Sequence, residues 1–335
     1  RLANPGGITN MKIGMSLTSS YPLSVDSRTI MENLVEEVKL MAQLGFDSFS
    51  LGDHHLTPNH YVQVLPAISS LSAVSGDMRL LPLFLLPFYN PILLAEQLAT
   101  LDVISGGRTT AINALGYDAA AFTAFGTTLR TRVSRFVETF EIMRLLWERD
   151  NVIYKGRHYS FDAPISLNPK PVSQPLPMWV AGRAELAIKR AAKMGDGWVI
   201  APGWTPDLVK RGIQFYRDSL AEYGRDEQDM EIVLRRDAHL APTSDTGHRE
   251  AQTFFENGYR GFGAVEIAQS LIKGGPGECI EYLEGMERAG VTHVLFRCAL
   301  DVRERALQTI RVLGDRKGTR LNSSHTPISY AVFCL

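Results

Sequence analysis

The chain has 335 residues, of which 45% are hydrophobic and 21% charged, and its formal net charge is −1. This balance is typical of a globular protein and argues against nucleic acid or an anionic membrane as a partner. The longest apolar run, residues 80–88, is interrupted by prolines and falls far short of the roughly 20 residues that a membrane helix needs. The chain shows no signal-peptide pattern, and its three cysteines are scattered without a CxxC pair, so the sequence predicts a cytoplasmic protein.

Both ends of the chain differ in character from the middle. The first strand-like segment begins at Met11, so we expect residues 1–10 to be a non-native or disordered leader. Residues 315–335, DRKGTRLNSSHTPISYAVFCL, resemble the conceptual translation of a sequencing adapter and predict an artefactual tail. We therefore expect one native domain over residues 11–314.

Strand-like and helix-like segments alternate from residue 12 onward. Short runs rich in apolar and β-branched residues predict strands over 12–19, 46–52, 79–87, 106–116, 178–182, 196–201, 230–241 and 291–300. Apolar residues at helical spacing predict helices over 29–45, 61–75, 90–105, 131–150, 184–195, 205–224, part of 248–275, 276–290 and 302–314. Asn90-Pro91 and Thr205-Pro206 each combine a favourable N-cap with proline at the first helical position, which predicts two of the helix starts.

This alternation predicts the fold class. Eight strands that alternate with helices indicate parallel strands joined by right-handed crossovers, and eight such units that close on themselves form an α/β TIM barrel, (β/α)8. A doubly wound open sheet is the alternative, but the residues after the first strand lack a GxGxxG fingerprint. Two segments, about 151–177 and about 256–275, interrupt the alternation and are predicted insertions, the first with room for a short hairpin.

The stretch SLGDHHLTPNH follows the second predicted strand and carries Asp53, His54 and His55. Barrel enzymes place their active sites at the C-terminal ends of the strands, so these residues are candidates for the site. Consecutive strand residues point to opposite faces, and only one of the two histidines is therefore expected to face the barrel mouth. Asp53 is the only carboxylate expected on this rim, which disfavours a metal centre or a glycosidase pair and favours a cofactor that supplies its own reactivity.

Three segments carry a family resemblance: SLGDHHLTPNHYVQVLPAISSLSAVS, LPLFLLPFYNPILLAEQLATLDVISGGR and MWVAGRAELAIKRAAKMGDGW. Together they resemble the bacterial luciferase-like family of flavin-dependent oxidoreductases over residues 11 to about 314. The resemblance implies a TIM barrel that binds reduced FMN, or the deazaflavin F420, at its C-terminal mouth. It also implies that the reduced cofactor reacts with oxygen or exchanges a hydride with a substrate.

The resemblance further implies roles for individual residues. We expect His55 to face the flavin, with His54 positioning it and Asp53 orienting it, although His54 is the alternative flavin-facing residue. The family motif has a different acid at position 53 and a different residue at Leu56, which leaves an oxygenase role open. The residues expected to bind the cofactor are Arg108, Ala181, Gly182, Arg183 and Ala184 at the phosphate and Asn113 at the isoalloxazine edge.

Position on the rim supplies the remaining candidates. Contacts to the substrate are expected from Tyr89, Tyr117, Trp204 and His239, and the eighth strand brings Arg297 to the rim. For three of these residues, a purely structural role stays open as the alternative. Arg108 could pair with Asp102, Gly182 could serve only a tight turn, and His239 could have a structural role.

The sequence thus predicts a flavin-dependent oxidoreductase or monooxygenase that uses reduced FMN on a small organic substrate. NAD(P)H is expected to act only indirectly, through a partner flavin reductase, and no metal is expected. An F420-dependent dehydrogenase or reductase of the same family is the alternative. The alternatives of another class are a metal-dependent barrel hydrolase and a non-catalytic flavin-binding protein. Because such families often form dimers, we also expect a homodimer.

Overall fold

The computed structural model describes residues 11–18, 20–257, 269–298 and 303–322. Eight strands form the central sheet: β1 Lys12–Ser16, β2 Ser48–Leu51, β3 Arg79–Leu85, β4 Ala111–Ala114, β5 Met178–Ala181, β6 Gly197–Ile200, β7 Glu231–Leu240 and β8 His293–Cys298. Each strand pairs in parallel with the next, and β8 pairs with β1, so the sheet is closed. The predicted (β/α)8 barrel is therefore confirmed.

Helices connect the strands and cover the outside of the barrel. The longer ones are α1 Ser27–Gln43, α2 Val64–Ser72, α3 Pro91–Ser105, α4 Arg132–Glu148, α5 Glu185–Met194, α6 Pro206–Glu222, α7 Ser244–Asn257, α8 Pro276–Ala289 and α9 Arg303–Asn322. Within the described ranges, no helix has the length and apolar character needed to cross a membrane.

Both predicted N-caps are confirmed. The Asn90 side-chain oxygen accepts the backbone N–H groups of Ile92 and Leu93 at 3.0 and 3.2 Å. The Thr205 hydroxyl accepts the N–H of Leu208 at 3.3 Å. These bonds satisfy amide groups that the first helical turn leaves without an internal partner, so each cap fixes where its helix begins.

The fourth strand is shorter than the predicted segment 106–116. Gly106 and Gly107 have φ values of 68° and 85°, and this left-handed turn ends α3. Before β4 begins, the chain pairs with β3 only at Leu80, whose N–H donates to the carbonyl of Arg108 at 2.8 Å and whose carbonyl accepts the N–H of Thr110 at 2.9 Å. The glycine pair therefore serves helix termination, and the strand starts five residues later than predicted.

The insertion over residues 151–177 contains the hairpin that its sequence allowed. Val152–Lys155 pairs in antiparallel fashion with Ser160–Ile165. The carboxylate of Glu138, on α4, accepts the backbone N–H groups of Arg157 and His158 at 2.9 and 2.8 Å. The hairpin turn is thereby tied to α4.

The second predicted insertion and the predicted tail are described only in part. Residues 258–268 lie outside the described ranges, but Ile272–Gly274 adds a short parallel strand to the end of β7. The helix α9 continues to Asn322, past the expected end at Gly314, so the first part of the tail has helical backbone. The leader 1–10 and residues 323–335 are outside the described ranges, and the origin of the tail stays a prediction.

The barrel interior is packed, because every second residue of each strand points inward. The inner core consists of Leu81, Ile112, Trp179, Val199, Val233 and Leu295. At the N-terminal end of the barrel, Glu231 forms ion pairs with Lys12 and, at 3.6 Å, with Arg79. These paired groups close that end, so the site must be sought at the C-terminal mouth.

Candidate active site

The inward-facing row of β2 can be identified from its neighbours. A Cβ atom on Gly14 would collide with the side chains of Ser48 and Leu295, so these three positions meet inside the barrel. Ser48 also lies 2.8 Å, Oγ to Nε2, from His293. The two-residue period of the strand then places Ser50 on the same inward row, and His54 follows three residues after the strand ends at Leu51.

His54 lies at the mouth, between two tyrosines. Its ring centre is 5.6 Å from that of Tyr61 and 6.2 Å from that of Tyr117. Tyr61 is fixed in turn by its hydroxyl, which donates to the carbonyl of Gly52 at 2.9 Å. Tyr117 follows β4 and is 74% exposed. The His54 imidazole is therefore half-buried and within reach of a molecule bound at the mouth.

His55 points into a different environment, as the alternation of adjacent residues predicted. Its ring centre is 4.7 Å from that of Phe125 and 5.6 Å from that of Phe88. The side chain is 11% exposed. Its Nε2 lies 3.1 Å from Oδ1 of Asp53 but is not aligned for a hydrogen bond. The structure thus places His54 beside Tyr61 and Tyr117, and His55 against Phe88 and Phe125. The catalytic role of either histidine stays a prediction.

Asp53 has a buried carboxylate that joins the ends of two strands. Its Oδ2 accepts the N–H of Leu85 at 3.0 Å and the hydroxyl of Tyr89 at 2.9 Å. Burial, and then the charge of Asp53, raise the pKa of Tyr89 well above its usual range, so the tyrosine keeps its proton and donates it. Asp53 therefore holds the loop that carries both histidines.

Arg108 was expected to bind the flavin phosphate, but the structure does not place it at the C-terminal mouth. Arg108 precedes β4 and lies at the N-terminal end of the barrel. Its guanidinium donates to the carbonyls of Met78 and Ser105, at 2.6 and 2.8 Å, and to the hydroxyl of Ser75 at 3.0 Å. Asp102 instead accepts the N–H of Thr109 at 3.0 Å. Arg108 therefore stabilises the turn between α3 and β4.

Asn113 also does not face the mouth. Its neighbour Ile112 belongs to the inner core, so the Asn113 side chain points outward from β4. The amide nitrogen donates to the carbonyls of Ala111 and Trp179, both at 3.2 Å. The residue is fully buried between β4 and β5, and the expected contact with an isoalloxazine edge is corrected to a contact between strands.

The turn that contains Ala181, Gly182, Arg183 and Ala184 lies where the resemblance placed it, between β5 and α5. A Cβ on Gly182 would come within 2.5 Å of Ala187 Cβ, so the turn itself requires glycine. Arg183 is exposed and donates to the carbonyl of Pro202 at 2.8 Å. Ala184 is the N-cap of α5 and offers no side-chain cap, so exposed amide groups there remain open to an anion.

Of the four expected substrate contacts, Tyr117 lies at the mouth, whereas the hydroxyl of Tyr89 donates a hydrogen bond to Asp53. Trp204 packs outside the barrel, where a Cβ on Gly212 of α6 would collide with its ring. His239 is 1% exposed, and its Nε2 lies 2.7 Å from Oε2 of Glu250 on α7. Burial lowers the pKa of His239 despite this carboxylate. Trp204 and His239 are therefore packing and bridging residues in this structure.

Sequence analysis missed two charged residues of β7. Val233 belongs to the inner core, so Arg235 and Asp237 follow it on the inward face and reach the mouth. Arg297 on β8 does the same above Leu295. Asp53 is therefore not the only carboxylate on the rim. The period of two in EIVLRRDAHL could have revealed both residues, because Val233 is the third residue of that strand.

The site holds no ready metal centre. Over the part of the chain that the structure describes, no three His, Cys, Asp or Glu side chains lie close enough to share a metal ion. Of the Asp53 carboxylate, Oδ2 already accepts hydrogen bonds from Leu85 and Tyr89. The mouth instead offers an imidazole, two arginines and a helix N-terminus.

Comparison with known proteins supports this reading of the barrel. The model of the luciferase-like monooxygenase family matches residues 11–293. An F420-dependent glucose-6-phosphate dehydrogenase from Amycolatopsis mediterranei (strain U-32) is 26% identical over 301 residues, which cover 79% of this chain and 87% of the relative.

Two solved structures share the fold. The monooxygenase RslO1 from Streptomyces bottropensis superposes with a TM-score of 0.81 at 20% identity and covers 93% of this chain and 100% of its own. An F420-dependent secondary alcohol dehydrogenase in complex with an F420–acetone adduct gives a TM-score of 0.76 at 19% identity, with 91% and 98% covered. At these identities the likeness is one of fold.

Proposed function

Because the chain belongs to the luciferase-like monooxygenase family of oxidoreductases, we propose that it binds a reduced flavin or deazaflavin at the C-terminal mouth of its barrel. The observation that carries the proposal is the position of His54. It lies in the loop that follows β2 and stands beside the exposed ring of Tyr117, with 6.2 Å between the ring centres. An accessible imidazole at the mouth, with no metal ligands gathered around it in the described ranges, suits chemistry that a cofactor supplies.

The residues at the mouth fit such a cofactor. The exposed N-terminus of α5 leaves amide groups without a side-chain cap, which favours a phosphate. Gly182 keeps the turn close to the helix, because Ala187 fills the space that a side chain would need. Arg183, exposed on the same turn, adds a positive charge near this position.

The cofactor would accept or supply a hydride, or activate oxygen; the chain would position the substrate and exchange a proton with it. The His54 imidazole can accept the proton released when an alcohol is oxidised, or donate the proton needed when a carbonyl is reduced. Asp53 keeps the loop of His54 in place through Leu85 and Tyr89. The aromatic side chains Phe88 and Phe125 pack against His55 and support the base of this loop.

Hydride transfer with F420 is the first candidate reaction, and it differs from the FMN chemistry that sequence analysis placed first. It is supported by the relative named as an F420-dependent dehydrogenase, which matches most of this chain. Oxygen chemistry with reduced FMN, delivered by a partner flavin reductase that uses NAD(P)H, is the second candidate. It is supported by the description of the matching family as monooxygenases.

Two parallel assays test the reaction. Under anaerobic conditions, the protein with F420 and a panel of small alcohols and sugar phosphates should bleach the deazaflavin absorbance. In air, the protein with reduced FMN should change the rate of oxygen consumption if the second candidate is right. A protein inert in both assays, while bound to either cofactor, would support a non-catalytic flavin-binding protein and overturn the proposed activity.

We also propose that the protein forms a homodimer. On α3, Leu93 and Ile104 are 53% and 57% exposed and lie on one side of the helix, which gives the barrel an apolar outer face. Sedimentation of the full chain should show a dimer. The substitution Ile104→Glu should shift it toward the monomer, and a monomeric parent protein would contradict the proposal.

A further inference from the structure

We propose that Arg235 and Arg297 form a binding site for an oxyanion group of the substrate, a carboxylate, sulfonate or phosphate. The assignment of this anion to a substrate rests on the proposed function, because the substrate is the molecule that reacts at the cofactor. The argument for the site itself rests on the strands that carry these side chains.

Both arginines stand on the inward face of the barrel, on neighbouring strands. Val233 and Leu295 belong to the inner core, and Arg235 and Arg297 lie two residues farther along β7 and β8. Side chains two residues apart on a strand point to the same side. Arg236, between Arg235 and Asp237, is fully buried on the outer side, with its guanidinium 5.7 Å from the Tyr282 ring centre. The alternation is therefore intact where the charged residues occur.

The side chain of Arg235 crosses the inner surface of β8. Its Nε donates to the hydroxyl of Ser16 on β1, at 3.3 Å. Since β8 lies between β7 and β1, and neighbouring strands are about 4.8 Å apart, the arginine must span β8 to reach that hydroxyl. In the register, Met15 is paired with Phe296, so Ser16 stands next to Arg297. The Arg235 side chain therefore ends next to the strand position that carries Arg297.

Neither of these charges is held in an ion pair with a described residue. No ion pair joins Arg235 or Arg297 to any part of the chain that the structure describes, and the buried Nε of Arg297 has no hydrogen-bond partner there. Asp237 is paired with Arg297 in the strand register, yet its buried Oδ1 also makes no hydrogen bond. At the N-terminal end of the same barrel, by contrast, Lys12 and Arg79 share Glu231.

Two guanidinium groups close together, partly withdrawn from water, repel each other unless an anion joins them. The planar fork of arginine matches the oxygens of a carboxylate, sulfonate or phosphate. Asp237 offsets one of the two positive charges, which favours a ligand with a single anionic group over a highly charged one. Because only β1 separates β8 from β2, a ligand held here extends toward His54.

Anion titration of the cofactor-loaded protein tests the proposal. Sulfate and inorganic phosphate serve as probes, with calorimetry as the readout. Arg235→Gln and Arg297→Gln should each weaken anion binding about tenfold or more, because hydrogen bonds to charged groups contribute on that scale. Asp237→Asn should have the opposite effect and tighten binding. Arg211→Gln, at an exposed arginine on α6, is the matched control and should bind the probes like the parent protein.

Two further measurements keep the outcome interpretable. Arg235→Lys and Arg297→Lys retain the charge, and thermal melts of all variants verify folding. Unchanged affinity in the folded glutamine variants would overturn the proposal. Probe binding only in the cofactor-free protein would also overturn it, because the arginines would then hold the phosphate of the cofactor. If the parent protein binds no cofactor, the proposed function fails, and the same titration on the free protein still tests the arginine site.

Discussion

The hydroxyl of Tyr89 donates a hydrogen bond of 2.9 Å to Oδ2 of Asp53. This bond links the loop after β2 to the end of β3, and it occupies the carboxylate that follows the second strand. Asp53 therefore supports the histidine loop. The three residues of DHH therefore differ in role. Asp53 anchors the loop, His55 packs against Phe88 and Phe125, and His54 remains accessible.

Removing the Tyr89 hydroxyl should destabilise the fold. In Tyr89→Phe, the buried Asp53 carboxylate loses one of its two donors, and we expect the free energy of unfolding to fall by about 1–3 kcal/mol. Urea unfolding of the variant measures this loss. Tyr117→Phe, at a tyrosine that is 74% exposed, is the control and should change stability by less than about 0.5 kcal/mol. Equal effects in both variants would contradict the anchoring role of Asp53.

The two adjacent histidines should respond differently to substitution. His55→Ala removes a ring packed against Phe88 and Phe125 and should lower the free energy of unfolding by about 1–3 kcal/mol. His54→Ala should leave stability nearly unchanged but lower turnover with the cofactor about a hundredfold, the scale of proton-transfer catalysis. Unfolding curves and the cofactor assay, run on both variants, give the comparison. The reverse pattern would return the flavin-facing role to His55.

Substitutions of Arg108 and Arg183 give a matched comparison that tests where the phosphate of the cofactor binds. Arg108→Gln should cost about 2 kcal/mol of stability, because the carbonyls of Met78 and Ser105 lose a charged donor, while cofactor affinity stays within about twofold. Arg183→Gln, at the exposed turn before α5, should weaken cofactor binding with little change in stability. Cofactor titration and thermal melting separate the two effects. Loss of affinity in the Arg108 variant alone would restore the expectation drawn from the family resemblance.

Buried His293 should make stability depend on pH. Burial lowers its pKa to about 4, whereas the unfolded chain takes up this proton near its ordinary value of about 6.5. Between these values the unfolded state binds more protons, so stability falls as the pH decreases from 6.5 toward 4, by roughly 2 kcal/mol at pH 5. In urea unfolding, the substitution His293→Gln should therefore raise stability above that of the parent protein by about this amount at pH 5, with little difference at pH 7.

Glu37 should oppose this trend over nearly the same pH range. Burial raises its pKa to about 7, so its contribution is present below about 4.5, the unfolded value, and is lost as the pH rises through 7. The two slopes partly cancel in the parent protein. The substitution Glu37→Gln should therefore expose the His293 slope, with stability that rises with pH, and should stabilise the protein at pH 8. A slope unchanged by either substitution would contradict both assignments.

The fold was predictable because it depends on regular signals. Eight alternating segments, and caps such as Asn90 and Thr205, are local patterns that tertiary contacts did not override. The strand limits were less accurate, since Gly106 and Gly107 belong to the end of α3 and not to β4. The choice of inward residues needed a fixed register, which the packing of Gly14 against Ser48 and Leu295 supplied.

The site was predictable only in part. Arg108 and Asn113 flank or occupy the right strand, but sequence position does not show which end of the barrel an arginine reaches or which face an asparagine takes. Trp204 and His239 follow the strands that the sequence predicted, but both side chains contact neighbouring helices. Arg235 was within reach of the same alternation argument that separated His54 from His55.

The central claim, a flavin-type cofactor at the barrel mouth, is tested most directly by equilibrium titration of the full chain with F420 and with reduced and oxidised FMN. The change in cofactor absorbance or fluorescence is the readout. We predict saturable binding of at least one cofactor at micromolar concentration, with a spectrum that changes in His54→Ala and not in Arg108→Gln. No saturable change with any of them would contradict the account.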